Sequence, residues 1–314
     1  MRILITGASG FIGCELTDHF SKAGFDVIPL VFRNQDRLKA KKLPAAKVCD
    51  LNDLNATRAV FLDARPDAVI HMAASRAASS SWEILENNLK SSSHVLEACK
   101  NLPKETKIIM TGSSAAYGSS GVANQNPLLE SEAFRPVSPY GVAKAAADLM
   151  AYQSYIENGL ALFRVRPFNI IGPGQSPGFF CSDIAEKIAA LNPPASASLK
   201  LSHLDSFRDF LDVQDLCRAY EAILKSGKAG EAYNVCSGKA VALGDVVQKL
   251  IGLSGKKIQL EISPATRRPN DIAYQCGSHE KLSKESGWKP LISLEDSLEK
   301  IMQHALKKHS GTSK

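Results

Sequence analysis

Short apolar runs and amphipathic stretches alternate along the first half of the chain. Ile3, Leu4 and Ile5 run into Thr6-Gly7. FIGCELTDHFSKAG (11–24) then carries apolar residues at helical spacing and stops at Gly24, and DVIPLVF (26–32) is a second apolar run. AVIHMAA (68–74) reads as a third strand and KIIMTGSS (107–114) as a fourth, with the helical period of ILENNLKSSSHVLEACK (84–100) between them. Apolar runs bounded by glycine suit buried strands, and a 3.6-residue period suits helices covering them. Strand alternating with helix predicts a parallel sheet with helices on both faces.

The texture changes near Pro167. ALFRVRPFNIIGPG (161–174) begins as a strand, breaks at Pro167 and continues with glycine and proline. NPPASAS (192–198) is a loop, FRDFLDV (207–213) begins a new unit, and YNVCSG (233–238) is a strand ending at glycine. KAVALGDVVQKLIGLSG (239–255) and LEDSLEKIMQHALKK (294–308) are amphipathic helices, and HSGTSK (309–314) is expected to be disordered. There is no internal repeat. The fold class expected is α/β, a Rossmann-type doubly wound parallel sheet followed by a smaller α/β C-terminal lobe.

Composition narrows the function classes. At 314 residues, one large domain or two fused lobes is expected. The apolar start is too short for a signal peptide, and no segment approaches a membrane span. The seven cysteines make no CxxC pair and their number is odd, which suits reduced thiols in a cytoplasmic protein. The seven histidines form no HxxxH or Cys/His cluster, so no metal site is expected. The net charge of +6 is spread along the chain with few aromatics between, which argues against a nucleic-acid partner. A small polyanion such as a nucleotide accounts for the sign of the charge.

Two segments carry chemistry. In TGASGFIG, Gly7, Gly10 and Gly13 follow the first strand and open a helix. Glycine there permits a tight turn and lets the backbone approach a pyrophosphate, while the helix N-terminus supplies amide donors. In SPYGVAK, Ser138 is a good N-cap and Pro139 suits the first helical position. Tyr140 and Lys144 then share one helix face. A cation beside a phenol favours phenolate and lowers its pKa from about 10, giving an acid/base usable near neutral pH.

These segments resemble the short-chain dehydrogenase/reductase family, whose first turn is written TGxxGxxG. The resemblance covers most of the chain. It implies cofactor contacts from Gly7, Gly10, Phe11, Ile12, Gly13, Ala73, Ala74, Asn88, Tyr140, Lys144 and Pro167, with Asp50 and Leu51 against the adenine. It implies a catalytic set of Ser113, Tyr140 and Lys144. NAD enzymes of this fold usually end the second strand with a carboxylate that binds the ribose 2′-hydroxyl. LVFRN has none, and Arg33 follows closely. An arginine suits a 2′-phosphate, so NADP(H) is favoured, with NAD(H) possible.

The second half is similar to the extended, nucleotide-sugar-modifying branch of that family. The carrying segments are RPFNIIGPG, FRDFLDVQDL, YNVCSG, RRPNDIAY and GWKP. The resemblance implies substrate contacts from Ser114, Asn169, Arg208, Asn234, Arg268 and Asp271. Asp212 and Asp215 are expected to shape the fold. It implies a dinucleotide-binding domain over 1–166, completed by about 207–235, and a nucleotide-sugar lobe over 167–206 and 236–314. Dehydratases of this branch carry a carboxylate pair directly after the catalytic Ser/Thr, where Ser114 and Ala115 stand here. A 4,6-dehydratase is therefore disfavoured. The expected activity is reduction of an NDP-4-keto-6-deoxyhexose at C4, with GDP-4-keto-6-deoxy-D-mannose going to GDP-D-rhamnose as first candidate. Ala115-Ala116 stands where acidic residues would be expected in that reductase. An NAD-dependent UDP-sugar 4-epimerase is the alternative, and a non-catalytic dinucleotide sensor the lesser one. Family members often pair through a helix bundle, so a homodimer is expected.

Overall fold

The computed structural model describes residues 1–75, 79–121, 125–191, 197–263 and 271–310. The first half runs β1 (Arg2–Thr6), α1 (Phe11–Lys22), β2 (Asp26–Val31), α2 (Asp36–Ala40), β3 (Lys47–Val48), α3 (Leu54–Ala64), β4 (Ala68–His71), α4 (Ser81–Cys99), β5 (Lys107–Thr111), α5 (Pro139–Asn158) and β6 (Ala161–Pro167). The second runs β7 (Asn169–Ile171), α6 (Phe180–Ala190), β8 (Ala197–Leu201), β9 (Phe207–Asp212), α7 (Val213–Ser226), β10 (Ala232–Val235), β11 (Ala240–Ala242), α8 (Leu243–Ser254), β12 (Ile258–Ile262), β13 (Tyr274–Gln275), α9 (Glu280–Ser286) and α10 (Leu294–Ser310).

The main sheet has the order β10-β6-β5-β4-β1-β2-β3, all parallel. Side chains of a strand point alternately to its two faces. Ile3 and Ile5 accordingly join a core with α1 and α7, while Leu4 joins a second core with α3 and α4. Burial on both faces explains why these strands are nearly continuous apolar runs. The direction of winding reverses beside β1, whose neighbours are β2 and β4. In such sheets ligands bind beyond the carboxyl ends of the strands at that reversal.

Pro167 is the last β6 residue and pairs with Val235. Proline has no N–H to continue a ladder, and the chain crosses there to a second sheet. That sheet has the order β11-β9-β13, with β7 also paired to β9. A third core of α6, α8 and α10 residues lies against it. Within 207–235, β9 therefore belongs to the smaller sheet, and α7 and β10 return to the large one.

The aspartates of RDFLDVQDL stitch these parts together. Asp209 is fully buried and accepts from the Ser237, Gly238 and Gly277 amides and from Ser237 Oγ. Asp212 caps α7 through the Gln214 amide and accepts from Ser297 Oγ on α10. Asp215 accepts from the Leu291 and Ile292 amides at 3.0 and 2.9 Å and pairs with Arg218. Its own carbonyl accepts from Trp288 Nε1 at 3.1 Å. The expectation that Asp212 and Asp215 shape the fold agrees with these bonds.

Gly24 ends the first helix as expected, with φ of +83°. In the first half α2, β3 and α3 are too short or too polar to stand out in the sequence; in the second half α6, β8, β12, β13 and α9 do not stand out either, and the stretch 239–255, expected as one helix, begins as strand β11 before α8. The AVIHMAA strand stops at His71, because the backbone beyond it turns under the glycine loop. His309 and Ser310, expected in a disordered tail, complete α10; residues 311–314 lie outside the described residues.

Replacing Asp215 with alanine should cost about 2–4 kcal/mol, because a fully buried carboxylate that holds the Leu291 and Ile292 amides, and pairs with Arg218, is lost. A denaturant titration that leaves the midpoint unmoved would contradict this role.

Candidate active site

Between β1 and α1 the chain makes the tightest turn in the site. Gly7 has φ of +66°, and a Cβ there would lie 2.7 Å from the Ala73 nitrogen. Only glycine tolerates both conditions. The turn is held from below by Thr6, whose Oγ1 accepts from the Met72 and Ala73 amides, both at 3.2 Å. The same hydroxyl lies 2.9 Å from His71 Nδ1, and His71 Nε2 lies 3.3 Å from Ser92 Oγ. His71 is buried, and burial, reinforced by the Lys144 charge, lowers its pKa to about 3. It is therefore neutral, with Nδ1 accepting from Thr6 and Nε2 donating to Ser92. Asn88 pins the next stretch, exchanging hydrogen bonds with the Ser75 amide and carbonyl.

Helix α1 starts at this turn without a side-chain cap and with no acidic residue in its first turn. Its leading amides have no intrahelical partner. They suit an anion, since the helix dipole places partial positive charge there. Gly7, Gly10, Phe11, Ile12 and Gly13 line one end of a cavity of about 690 Å³. An uncapped helix start over a glycine cradle fits a dinucleotide diphosphate.

The other wall is the start of α5. Ser138 caps it, accepting from the Gly141 amide at 3.1 Å, and Pro139 takes the first position. A Cβ on Gly141 would come within 2.5 Å of the Ala115 carbonyl, so glycine lets the helix press against the 113–116 turn. Tyr140 and Lys144 both line the cavity. The Lys144 ammonium is buried, donates to the Thr111 carbonyl at 2.7 Å and lies 5.9 Å from the Tyr140 ring centroid. Burial lowers its pKa to about 8, so it is still largely charged at neutral pH. Ser113 lines the cavity, and its Oγ accepts from the Ala115 amide at 3.1 Å. Ser114 also lines it, but its hydroxyl donates to Gln275 Oε1 and its carbonyl accepts from Gln275 Nε2, both at 3.1 Å.

The far end is built by the second lobe. Asn169 lines it and donates to the Asp209 carbonyl at 2.9 Å. Arg208 lines it from β9, with Nη1 donating to the Phe207 carbonyl. Phe168, Phe179, Phe180, Phe210 and Ile272 supply an apolar wall. Among the described residues lining the cavity there is no carboxylate.

Thirteen of the residues singled out from the sequence therefore meet at one cavity: Gly7, Gly10, Phe11, Ile12, Gly13, Ala74, Ser113, Ser114, Tyr140, Lys144, Pro167, Asn169 and Arg208. Others lie elsewhere. Ala73 and Asn88 support the floor from behind. Arg33 is exposed two residues past β2, with its guanidinium 4.3 Å from the Phe32 ring centroid. Asp50 and Leu51 follow β3, at the same carboxyl edge and beyond the cavity. Asp50 is exposed and accepts from the Asn52 amide, and the Leu51 carbonyl bonds His94.

Asn234 requires a correction. It is fully buried away from the cavity, donating to the Leu128 carbonyl and accepting from Tyr117 Oη. Its amide nitrogen and oxygen both bond groups of the fold, and it does not line the cavity. Asp271 is exposed and does not line the cavity. Arg268 lies outside the described residues. Thr111, Gln175 and Gln275 line the cavity without having been singled out. Thr111 directly precedes the GSS segment, and that adjacency is its signal in the sequence. The two glutamines sit in no readable pattern.

Comparison with known proteins identifies the family. The family profile described as GDP-mannose 4,6 dehydratase matches residues 4–301. A GDP-6-deoxy-D-mannose reductase of Pseudomonas aeruginosa is 31% identical over 306 residues, covering 96% of each chain. The solved structure of RMD from Pseudomonas aeruginosa complexed with NADPH superposes with a TM-score of 0.83 at 29% identity, over 98% of this chain and 99% of that one. A Thermus thermophilus UDP-glucose 4-epimerase in complex with NAD gives 0.83 at 26% identity, over 97% and 99%. Relatives that span the whole chain are thus NAD(P)-dependent enzymes acting on nucleotide sugars. The chain belongs to the GDP-mannose 4,6-dehydratase family of extended short-chain dehydrogenases/reductases, and is an NAD(P)-dependent, nucleotide-sugar-modifying enzyme.

Proposed function

We propose that this enzyme is a nucleotide-sugar 4-ketoreductase that takes its hydride from NADPH, with GDP-4-keto-6-deoxy-D-mannose as substrate and GDP-D-rhamnose as product. The observation that carries this is the cavity's composition. A serine, a tyrosine and a buried lysine stand opposite an uncapped glycine turn, and among the described residues no carboxylate lines the space. Elimination of water from a sugar needs an acid/base pair beside the reacting carbons. Ser114 and Ala115 offer none, and the Ser114 hydroxyl is committed to Gln275. The 31% identical relative is a reductase of a GDP-linked 6-deoxymannose, which supports the sugar and the nucleotide.

The diphosphate of the cofactor would sit on the leading amides of α1, with Lys144 near its nicotinamide ribose. When bound it supplies the hydride. Tyr140 delivers the proton that turns the C4 oxygen into a hydroxyl. Ser113 donates a hydrogen bond to the same oxygen and orients it. The Lys144 ammonium favours the tyrosinate that remains and so lowers the cost of proton transfer. The second lobe holds the nucleotide diphosphate, with Arg208 as its cation and Asn169 as a donor. Arg33 reads the 2′-phosphate, because β2 ends at Val31 and Phe32 follows it, with no carboxylate to bind a 2′-hydroxyl.

We also infer a homodimer. Val142, Leu149, Tyr152 and Ile156 are 43, 58, 45 and 64% exposed and fall on one side of α5. Four large apolar groups in line on a helix suit a partner helix, and a second copy of α5 provides the same stripe. All seven cysteines are buried free thiols, which suits a reducing, cytoplasmic setting.

Purified protein mixed with NADPH and GDP-4-keto-6-deoxy-D-mannose should consume the cofactor stoichiometrically, read as loss of its absorbance. Tyr140→Phe should slow this by about three powers of ten and leave NADPH affinity nearly intact. An unchanged rate would remove Tyr140 from the chemistry. No consumption by the wild type, with tightly held NAD released on denaturation, would favour an epimerase. Arg33→Ala should lower the NADPH-over-NADH affinity ratio by about tenfold or more; an unchanged ratio would mean that Arg33 does not read the phosphate. The wild type should sediment at twice the 33.8 kDa chain mass, and Leu149→Lys/Ile156→Lys at the chain mass. A monomeric wild type would refute the interface.

A further inference from the structure

Gln175 sits in the loop between β7 and α6, in the wall shared by the main cavity and a second cavity of about 230 Å³. Its side chain is 8% exposed. Nε2 donates to the Ile170 carbonyl at 2.7 Å. A carbonyl needs a donor, so this bond settles which end of the amide is which. Oε1 is buried, and no donor among the described residues reaches it. A buried acceptor without a partner is costly, by about 1–3 kcal/mol. Natural proteins keep such groups where a bound molecule supplies the missing bond.

The flanking residues are held from the other lobe. Arg37, on α2, donates from Nη1 to the Gly174 carbonyl at 2.8 Å and from Nη2 to Ser176 Oγ at 3.4 Å. Its guanidinium lies 6.0 Å from the centroid of Phe11, in the glycine turn. One side chain of the cofactor-binding sheet thus grips both neighbours of Gln175. The backbone it grips is turned at Gly174, with φ of +76°. The Ile170 bond and the Arg37 bonds fix the amide from two directions, and neither uses Oε1.

We propose that Gln175 Oε1 accepts a hydrogen bond from an O–H or N–H of a molecule bound in the main cavity, and that Arg37 is the positioning residue that sets it there. This rests on that cavity being the cofactor and nucleotide-sugar site. The donor belongs to the cofactor (carboxamide or ribose hydroxyl) or to the sugar nucleotide (a ring hydroxyl). Both present the same chemistry, and separate titrations tell them apart.

The test uses the full-length protein, with NADPH and GDP-mannose titrated separately by calorimetry. Gln175→Met keeps the length of the side chain and removes the acceptor. It should weaken one ligand by roughly tenfold, while the melting temperature of the ligand-free protein falls only by the loss of the Nε2 bond to the Ile170 carbonyl, because Oε1 has no partner to lose. Loss confined to NADPH assigns the donor to the cofactor, and loss confined to GDP-mannose assigns it to the sugar nucleotide. Arg37→Ala should weaken the same ligand, and adding it to Gln175→Met should produce no further loss; a purely structural Arg37 would give additive effects. Unchanged affinity for both ligands in a Gln175→Met protein that folds would overturn the proposal. If Gln175→Met does not fold, the side-chain amide resonance of Gln175 in the wild type reads the same event. It should shift with one ligand, and constancy with both overturns the proposal. Failure of the wild type to bind either ligand would instead refute the reading of the cavity.

Discussion

A buried ammonium bonded to the end of a strand organises this site. Lys144 gives up water to donate to the Thr111 carbonyl, the last residue of β5. A buried charge is costly unless it is paired or hydrogen-bonded, so the bond ties α5 to the sheet in one position. Tyr140 lies one turn earlier on the same helix and is carried with it. Gly141 lets that turn press against the Ala115 carbonyl, so the distance from Ser113 to the helix is set by backbone contact. Around the same point, Thr111 Oγ1 meets Tyr220 Oη at 3.0 Å, and His71 stays neutral because it is buried and because a second charge beside Lys144 would be unfavourable. The placement of Tyr140 and Ser113 about the cavity thus follows from where one cation is allowed to be.

The second lobe depends on a different device. Asp209, Asp212 and Asp215 are buried within seven residues of one another in sequence. Each accepts hydrogen bonds from a separate segment: 237–238 and 277, then 297, then 291–292. Segments distant in sequence are held together by carboxylates that would otherwise be left unpaired. β13 is placed this way, and with it Gln275, which reaches back to Ser114 and closes the cavity between the lobes.

The resemblance to extended short-chain dehydrogenases/reductases was legible because its carrying segments are local. TGASGFIG and SPYGVAK are each a strand–turn–helix or cap–helix unit whose chemistry lies within a few residues. Asn234 misled for the opposite reason. YNVCSG reads as a strand ending at glycine, and β10 is that strand, but the substrate contact that the resemblance implied for Asn234 fails because its amide is taken up by Leu128 and Tyr117 from a distant segment. Nothing within the segment reveals that those partners use up its amide.

By itself the sequence determined the alternation of strands and helices, the glycine turn, the capped helix and the Tyr140–Lys144 spacing. These rest on periodicity, propensity and backbone sterics, which act between near neighbours. Only the tertiary structure decided that Asp209, Asp212 and Asp215 face inward and that Ser114 is bonded to Gln275. The same holds for the pairing of Arg37 with Gly174, which leaves Gln175 with an unused acceptor. Those outcomes depend on which groups remain after distant segments have buried one another, and hydrogen-bond satisfaction in a closed interior is a property of the whole packing.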